Sequence, residues 1–385
     1  MRPLEGFRVL DLTHVLAGPF ATHHLRCLGA EVIKVERPGG GDPMRALGRL
    51  PEQGDLPPTF RALNAGKKSV TADLGTAEGR ALVLRLAESA DVFVENFRPG
   101  VARRLGLGPE AVRAVRPGIV YCSISGWGQA GANAPRGAYD HVIQAATGMM
   151  ALQGSGADAA PVKVGFPVVD IATGISAAEA ILAALIRRLR GDEGPITLDV
   201  SMVDSALALM AGPAAVTQAT GRAPDRVGNR GFVGSPGAET FATADGHLSV
   251  AANTMGQFAT LCRLLGRPEL AGPPHIPAGL PPEAFLGNLA SDGLRAALAE
   301  AFAAAEAGGL EAALNAAGVP AAKVRDLGAY LREVYPDTPG IGVAGEPLAF
   351  GPAFRWTEGG DPPEPVAVPE LGADTAALAG EGRRD

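Results

Sequence analysis

What most restricts the fold of this 385-residue chain is the steady exchange, through its first half, of short β-branched runs for helical patterns. Phe7–Leu12, Glu31–Glu36, Ser69–Asp73, Val92–Glu95 and Ile119–Ile124 read as strands, with helices at Pro19–Leu28, Thr76–Ser89 and Pro109–Val115 between them. Strands separated by helices imply a parallel, doubly wound α/β sheet. In such sheets ligands gather at the carboxyl ends of strands. The segments that matter are therefore Thr13–Pro19, Arg37–Arg45, Asn96–Arg104 and Ser125–Asp140.

Further along, 140–152 and 171–190 read as helices, 195–200 as a strand and 201–220 as another helix. Gly221–Gly237, rich in Gly, Arg, Asn and Pro, breaks the pattern and marks a boundary. Beyond it, Glu239–Ala242 and His247–Ala252 flank a hairpin signal at Thr243-Ala-Asp-Gly. Helices are predicted at Met255–Leu265, at Pro282–Ala307 with breaks near Gly287 and Ser291, and at Leu310–Ala316. The expected organisation is a large α/β domain over 1–225 and a smaller α+β domain over 226–334. An irregular Pro/Gly-rich segment, 335–385, then returns to the large domain.

Composition narrows the function. A formal charge of −7 argues against a nucleic-acid binder, and 46% hydrophobic with 19% charged residues fits a soluble globular protein. Cys27, Cys122 and Cys262 are too scattered for a disulfide framework or a zinc spacing, which suits a reducing cytoplasm. No two histidines stand four apart, so no metal site is expected. The longest apolar run, the helix over 171–190, is interrupted by Thr173, Ser176 and Glu179 and reads as buried in protein, with no membrane span expected. The first strand–helix–strand unit carries only Gly18-Pro19 where a dinucleotide fold needs Gly-x-Gly-x-x-Gly, and no Gly-x-Ser-x-Gly elbow is present. Gly39-Gly-Gly-Asp-Pro behind Arg37 makes a flexible, phosphate-sized loop.

Asp170 stands where an extended, Pro-bounded stretch gives way to the long apolar helix. A carboxylate there is either an ordinary N-cap or a group held ionised by the helix dipole, with free amide donors nearby for an oxyanion.

Five motifs occur in a fixed order: Leu10-Asp-Leu-Thr-His-Val-Leu-Ala-Gly-Pro; Leu28-Gly-Ala-Glu-Val-Ile-Lys-Val-Glu-Arg-Pro-Gly-Gly-Gly-Asp; Asp91-Val-Phe-Val-Glu-Asn-Phe-Arg-Pro-Gly; Tyr139-Asp140; and Asp170. Together they resemble the family III CoA-transferases, the group that includes formyl-CoA transferase, carnitine CoA-transferases and alpha-methylacyl-CoA racemase. Phe241-Ala-Thr-Ala-Asp-Gly, Gly318-Val-Pro-Ala-Ala and Pro369-Glu-Leu-Gly extend the likeness over essentially the whole chain.

The resemblance implies a transferase that moves CoA from an acyl-CoA to a small carboxylic acid, with a dicarboxylate favoured. Asp170 matches the nucleophile that becomes acylated, with Tyr139 and Asp140 beside it. The CoA contacts match Leu16, Ala17, Arg37, Ala72, Asp73, Leu74, Gly75, Asn96, Phe97, Arg98, Arg104, Gly137 and Ala138, with Arg37 and Arg104 as phosphate partners. Leu16 replaces a glutamine of formyl-CoA transferase, which puts oxalate- and formyl-specific contacts in doubt. The racemase relatives have histidine where Tyr139 stands, and a neutral phenol is a poor base. A racemase-like isomerase and an intramolecular CoA-transferring isomerase remain the alternatives. The resemblance further implies an interlocked homodimer, no cofactor beyond CoA as substrate, and a loop over Gly228–Gly237 that shields the intermediate; Arg230 in that loop is alternatively a partner for a substrate carboxylate or an exposed linker arginine.

Overall fold

The structure is a computed structural model describing residues 2–48, 56–156, 159–231, 233–334, 353–354 and 367–380. The chain divides into two compact units, Met1–Met150 with Lys163–Ala223 and Thr338–Asp385, and Ala151–Val162 with Pro224–Asp337. The excursion Ala151–Val162 packs with the second unit. There Arg226 Nε donates to Ala151 O at 2.7 Å, an attachment that a division at residue 225 does not contain.

The first unit is built on six strands: β1 (Arg8–Asp11), β2 (Glu31–Glu36), β3 (Lys68–Thr71), β4 (Val92–Glu95), β5 (Val120–Ser125) and β6 (Ile196–Ser201). All pair in parallel in the order β3-β2-β1-β4-β5-β6, as the alternation predicts. The order reverses between β1 and β4, which opens a crevice at their carboxyl ends.

Successive side chains leave opposite faces of the sheet. Val9, Val32, Val92, Val94 and Cys122 pack under helices α1 (Ala17–Cys27) and the later Val168–Leu189. Leu10, Ile33, Val70, Phe93 and Tyr121 pack under the helices at Ala77–Glu88 and Pro109–Val115. Both faces are covered, which explains why these runs lack polar alternation. Three short helices missed by the sequence reading are Pro58–Asn64, Val101–Arg104 and Thr375–Ala379. The last returns the chain to β3, where Ser69 N donates to Asp374 Oδ2 at 2.8 Å. In order, the helices after α1 are α2 (Pro58–Asn64), α3 (Ala77–Glu88), α4 (Val101–Arg104), α5 (Pro109–Val115), α6 (Asp140–Ala146), α7 (Met149–Leu152), α8 (Val168–Leu189), α9 (Met202–Leu209) and α10 (Ala211–Thr220). The helix expected over 201–220 is thus two helices, with Met210 between them in a non-helical conformation.

Helix α8 is long and apolar enough to cross a membrane by length and composition alone. Here Ala177, Ala178, Ile181, Ala184 and Leu185 are buried in the first core. Gly174 lets α1 lie against it: a Cβ at that position would come within 2.7 Å of Ala17 O.

The second unit has an antiparallel sheet of β7 (Gly237–Thr243), β8 (Gly246–Ala252) and β9 (Ala321–Lys323). Ala244 and Asp245 turn the hairpin where the sequence places it. Helices α11 (Met255–Leu264), α12 (Asp292–Ala303) and α13 (Ala307–Ala316) supply Phe258, Leu298, Phe302 and Leu314 to its core, and α14 (Leu327–Val334) follows. The helix expected over Pro282–Ala307 begins only at Asp292, capped by Ser291 Oγ. Upstream, Asn288 takes a positive φ of 61° and Leu286 N donates to Asn253 O, so 282–291 is tied down as loop. The shielding loop predicted at Gly228–Gly237 and Arg230 belong to this unit, and Phe232 lies outside the described residues. Most of 335–385 also lies outside them.

Candidate active site

The crevice at the strand-order reversal is framed by two loops that clasp each other. His14 N donates to Asn96 Oδ1 at 2.9 Å, and Asn96 Nδ2 returns a bond to His14 O at 2.8 Å. Beneath the first loop, Asp11 ends β1 and accepts from Thr13 N, Thr22 Oγ1 and Lys67 Nζ. Burial would raise the Asp11 carboxyl, but Lys67, Lys34 and the two threonine hydroxyls outweigh it and hold the pKa at about 2. Lys34 Nζ donates to Thr13 O at 2.7 Å and pairs with Asp42 at 3.0 Å. Asp42 in turn accepts from Val15 N. Under the second loop, Glu95 accepts from Ser123 Oγ at 2.6 Å and Phe97 N at 2.8 Å, and burial, with Asp199 adding, pushes it up to about 7.

This buried scaffold holds Val15 at a φ of +70°, a conformation a β-branched residue adopts only under strain. Relief of about 1–2 kcal/mol of strain offsets the roughly 1 kcal/mol that glycine loses in the unfolded chain. Val15→Gly is therefore expected to melt no lower than the parent in calorimetry, against the usual result for Val→Gly. A drop of more than about 5 °C would contradict a strained loop.

Two neighbouring cavities open here. One, of about 320 Å³, is lined by His14–Ala17, Asn96–Pro99, Ile124–Gly126, Ala134, Arg136–Tyr139, Asp170 and Met202. Gly126 is required because a Cβ there would lie 2.0 Å from the Cβ of Ala138. The second, of about 240 Å³, is lined by Leu12, His14, Val35–Arg37, Ala72–Gly75 and Phe97. His14 and Phe97, with ring centroids 5.8 Å apart, belong to both walls. Burial and then Lys34 lower the His14 pKa, so its ring is neutral at pH 7.

Of the residues singled out from sequence, Leu16, Ala17, Asn96, Phe97, Arg98, Gly137, Ala138, Tyr139 and Asp170 line the first cavity; Arg37, Ala72, Asp73, Leu74 and Gly75, with Phe97, line the second. Arg104 lines neither; it sits at the end of α4 beside Gly100. Asp140 also does not line the cavity. Its Oδ2 accepts from Val169 N at 2.7 Å and Asp170 N at 3.1 Å, capping α8 from a distant part of the chain. Sequence reasoning did not single out His14, Val15, Arg136 or Met202 one by one. The carboxyl-end rule had marked the loops that carry the first three.

Three expectations for Asp170 are corrected. It is the third residue of α8, and Pro167 occupies the N-cap without a side-chain bond. It is also not held fully ionised at neutral pH. Burial first, and the Asp140 charge second, raise it to about 7, overriding the helix dipole. Nor does the start of α8 offer free donors. Val168 N bonds Phe166 O, Val169 N and Asp170 N bond Asp140, and Ile171 N bonds Pro167 O.

A carboxyl with a raised pKa in a cavity at the switch point of a doubly wound sheet defines an α/β protein whose candidate active site lies at its strand ends. The profile of CoA-transferase family III matches residues 4–374, and the chain belongs to that family. It is 43% identical over 269 residues to succinate–glutarate CoA-transferase of Agrobacterium fabrum, covering 69% of this chain and 66% of that protein. The chain thus spans slightly under two thirds of that relative's length. Acetyl-CoA:oxalate CoA-transferase of Acetobacter aceti is 35% identical over 387 residues, covering 98% of this chain and 95% of its own length. The crystal structure of a CAIB/BAIF family protein from Brucella suis superposes with a TM-score of 0.82 at 34% identity, covering 98% of each chain.

Proposed function

We propose that this protein transfers CoA from an acyl-CoA to a small dicarboxylic acid through a covalent intermediate on Asp170. The observation that carries this reading is the half-buried Asp170 carboxyl on the wall of the cavity at the strand-order reversal. Relatives named for succinate, glutarate and oxalate support the dicarboxylate.

CoA lies along the strand ends, with its phosphates near Arg37 and the Ala72–Gly75 turn and its thioester beside Asp170. The Asp170 carboxylate attacks the thioester carbonyl, forming an aspartyl–acyl anhydride and releasing CoA thiolate. The thiolate takes the aspartyl carbonyl and the first acid leaves. The second carboxylate then attacks the aspartyl thioester, and the same steps run in reverse. Leu16 and Ala17 amides, which open α1 on the cavity wall and have no hydrogen bond among the described residues, serve as the oxyanion donors. Tyr139, 68% exposed, borders the entrance.

The working assembly is a homodimer. Ile175, Ile186 and Leu189 of α8 and Leu207 and Leu209 of α9 are exposed apolar side chains, and α10 buries no residue within the chain. A cytoplasmic location and the absence of any cofactor beyond CoA complete the reading.

Because only the ionised Asp170 attacks, kcat/KM is expected to fall tenfold per pH unit below an apparent pKa near 7, well above the ordinary carboxylate value of 3.8. An acid limb near 4 in initial-rate measurements would contradict this. A mass-spectrometric screen of acids against succinyl-CoA and acetyl-CoA tests the activity itself. New dicarboxylyl-CoA is expected, whereas racemisation of a 2-methylacyl-CoA without any acceptor acid would overturn the transferase reading.

A further inference from the structure

We propose that Gln144 is a positioning residue for Asp170, its side-chain amide latching the Asp140 cap and the incoming chain at Val164 into one arrangement that sets the first turn of α8. This rests on Asp170 being the acyl-accepting group. Gln144 is fully buried. Its Nε2 donates to Asp140 Oδ1 at 2.5 Å, and its Oε1 accepts from Val164 N at 2.9 Å. The first bond occupies one oxygen of Asp140 and leaves Oδ2 to accept from Val169 N and Asp170 N. The second fixes the Lys163–Pro167 approach to a helix whose own N-cap residue, Pro167, supplies no side-chain acceptor.

Only an amide fits both ends. It has one donor and one acceptor group aimed in different directions, and both are used. A buried leucine strands Asp140 Oδ1 and Val164 N; a glutamate keeps the acceptor but sets a second carboxyl against Asp140. Either change lets Asp140, and with it the Asp170 backbone, leave the geometry of attack. A displacement of about 1 Å can cost roughly 10²-fold in rate. The wall that CoA contacts is left in place, so the loss falls on turnover and not on donor affinity.

The test uses the full-length protein with Gln144→Leu and Gln144→Glu, assayed with succinyl-CoA and the best acid from the screen. Both variants are expected to lose at least tenfold in kcat with the KM for succinyl-CoA within about twofold, and to exchange the amide protons of Val169 and Asp170 at least tenfold faster while β1 and β4 stay protected; Gln144→Leu alone should also speed exchange at Val164. Should Gln144→Leu fail to fold, Gln144→Glu, nearly isosteric and still able to accept from Val164 N, carries the test. A kcat within twofold of the parent, a fall in kcat matched by a rise in KM, or unchanged exchange at Val169 and Asp170 overturns the latch. Absence of CoA transfer by the unaltered protein would instead sink the transferase reading, and amide exchange would still judge the latch by itself.

Discussion

Asp170→Ala is expected to fold and bind acyl-CoA but to lose on the order of 10⁴-fold in turnover, because it removes the group that carries the acyl chain in the proposed mechanism. Its partner experiment, Asp170→Asn, is read in stability. The folded-state pKa of about 7 lies above the unfolded value of 3.8, so between those pH values the folded protein holds the extra proton. Stability contributed by this group is therefore present below pH 4 and lost as pH rises through 7. Shielding of the half-buried carboxyl by solvent reduces the full shift to about 2 kcal/mol. Asp170→Asn should accordingly melt higher than the parent at pH 8 and equal to it near pH 4. Equal melting at both pH values would show that Asp170 is not destabilised by its site.

The second large effect concerns the floor of the crevice. Lys67 and Asp11 are both fully buried and 3.1 Å apart, and Lys67 Nζ also donates to Pro19 O, Thr22 Oγ1 and Asn64 Oδ1. Burial lowers the Lys67 pKa to about 8, with Asp11 opposing. Removing one member of such a pair leaves the other charged and unmatched in the interior, a loss of about 3–5 kcal/mol. Lys67→Met is expected to show that loss in urea unfolding, and Asp11→Asn in the same chain to recover part of it, since the two sites share one network. A single-variant loss under about 1 kcal/mol would mean that water reaches the pair.

Much of the first unit was legible because its strands announce themselves locally. Glu31–Glu36 and Val92–Glu95 lie where their β-branched runs place them, and Pro109–Val115 begins at its helix-starting proline. The carboxyl-end rule then located Thr13–Pro19 and Asn96–Arg104 without knowledge of any side-chain contact. What escaped depends on contacts far apart in sequence. Asp140 caps a helix that begins 28 residues later, and no local pattern shows that its carboxylate turns away from the cavity. The raised pKa of Asp170 follows from that same long-range approach, which position at a helix start could not reveal. Val15 falls in the Thr13–Pro19 segment, which carries no local sign of a left-handed backbone; its positive φ is imposed by Asp42, Lys34 and Asn96 from three other segments. The expected break at Ser291 is where α12 starts, but the stretch before it is loop and not helix, since its pairing with Asn253 is tertiary.

The most direct measurement is turnover with an acceptor acid labelled with ¹⁸O in its carboxylate, followed by mass analysis of the peptide that contains Asp170. A side chain that forms an anhydride and is then released keeps one oxygen of the incoming acid, so label should build up in Asp170 over repeated cycles and nowhere else in the chain. Sustained formation of the new thioester with no heavy oxygen in that peptide would contradict covalent transfer through Asp170.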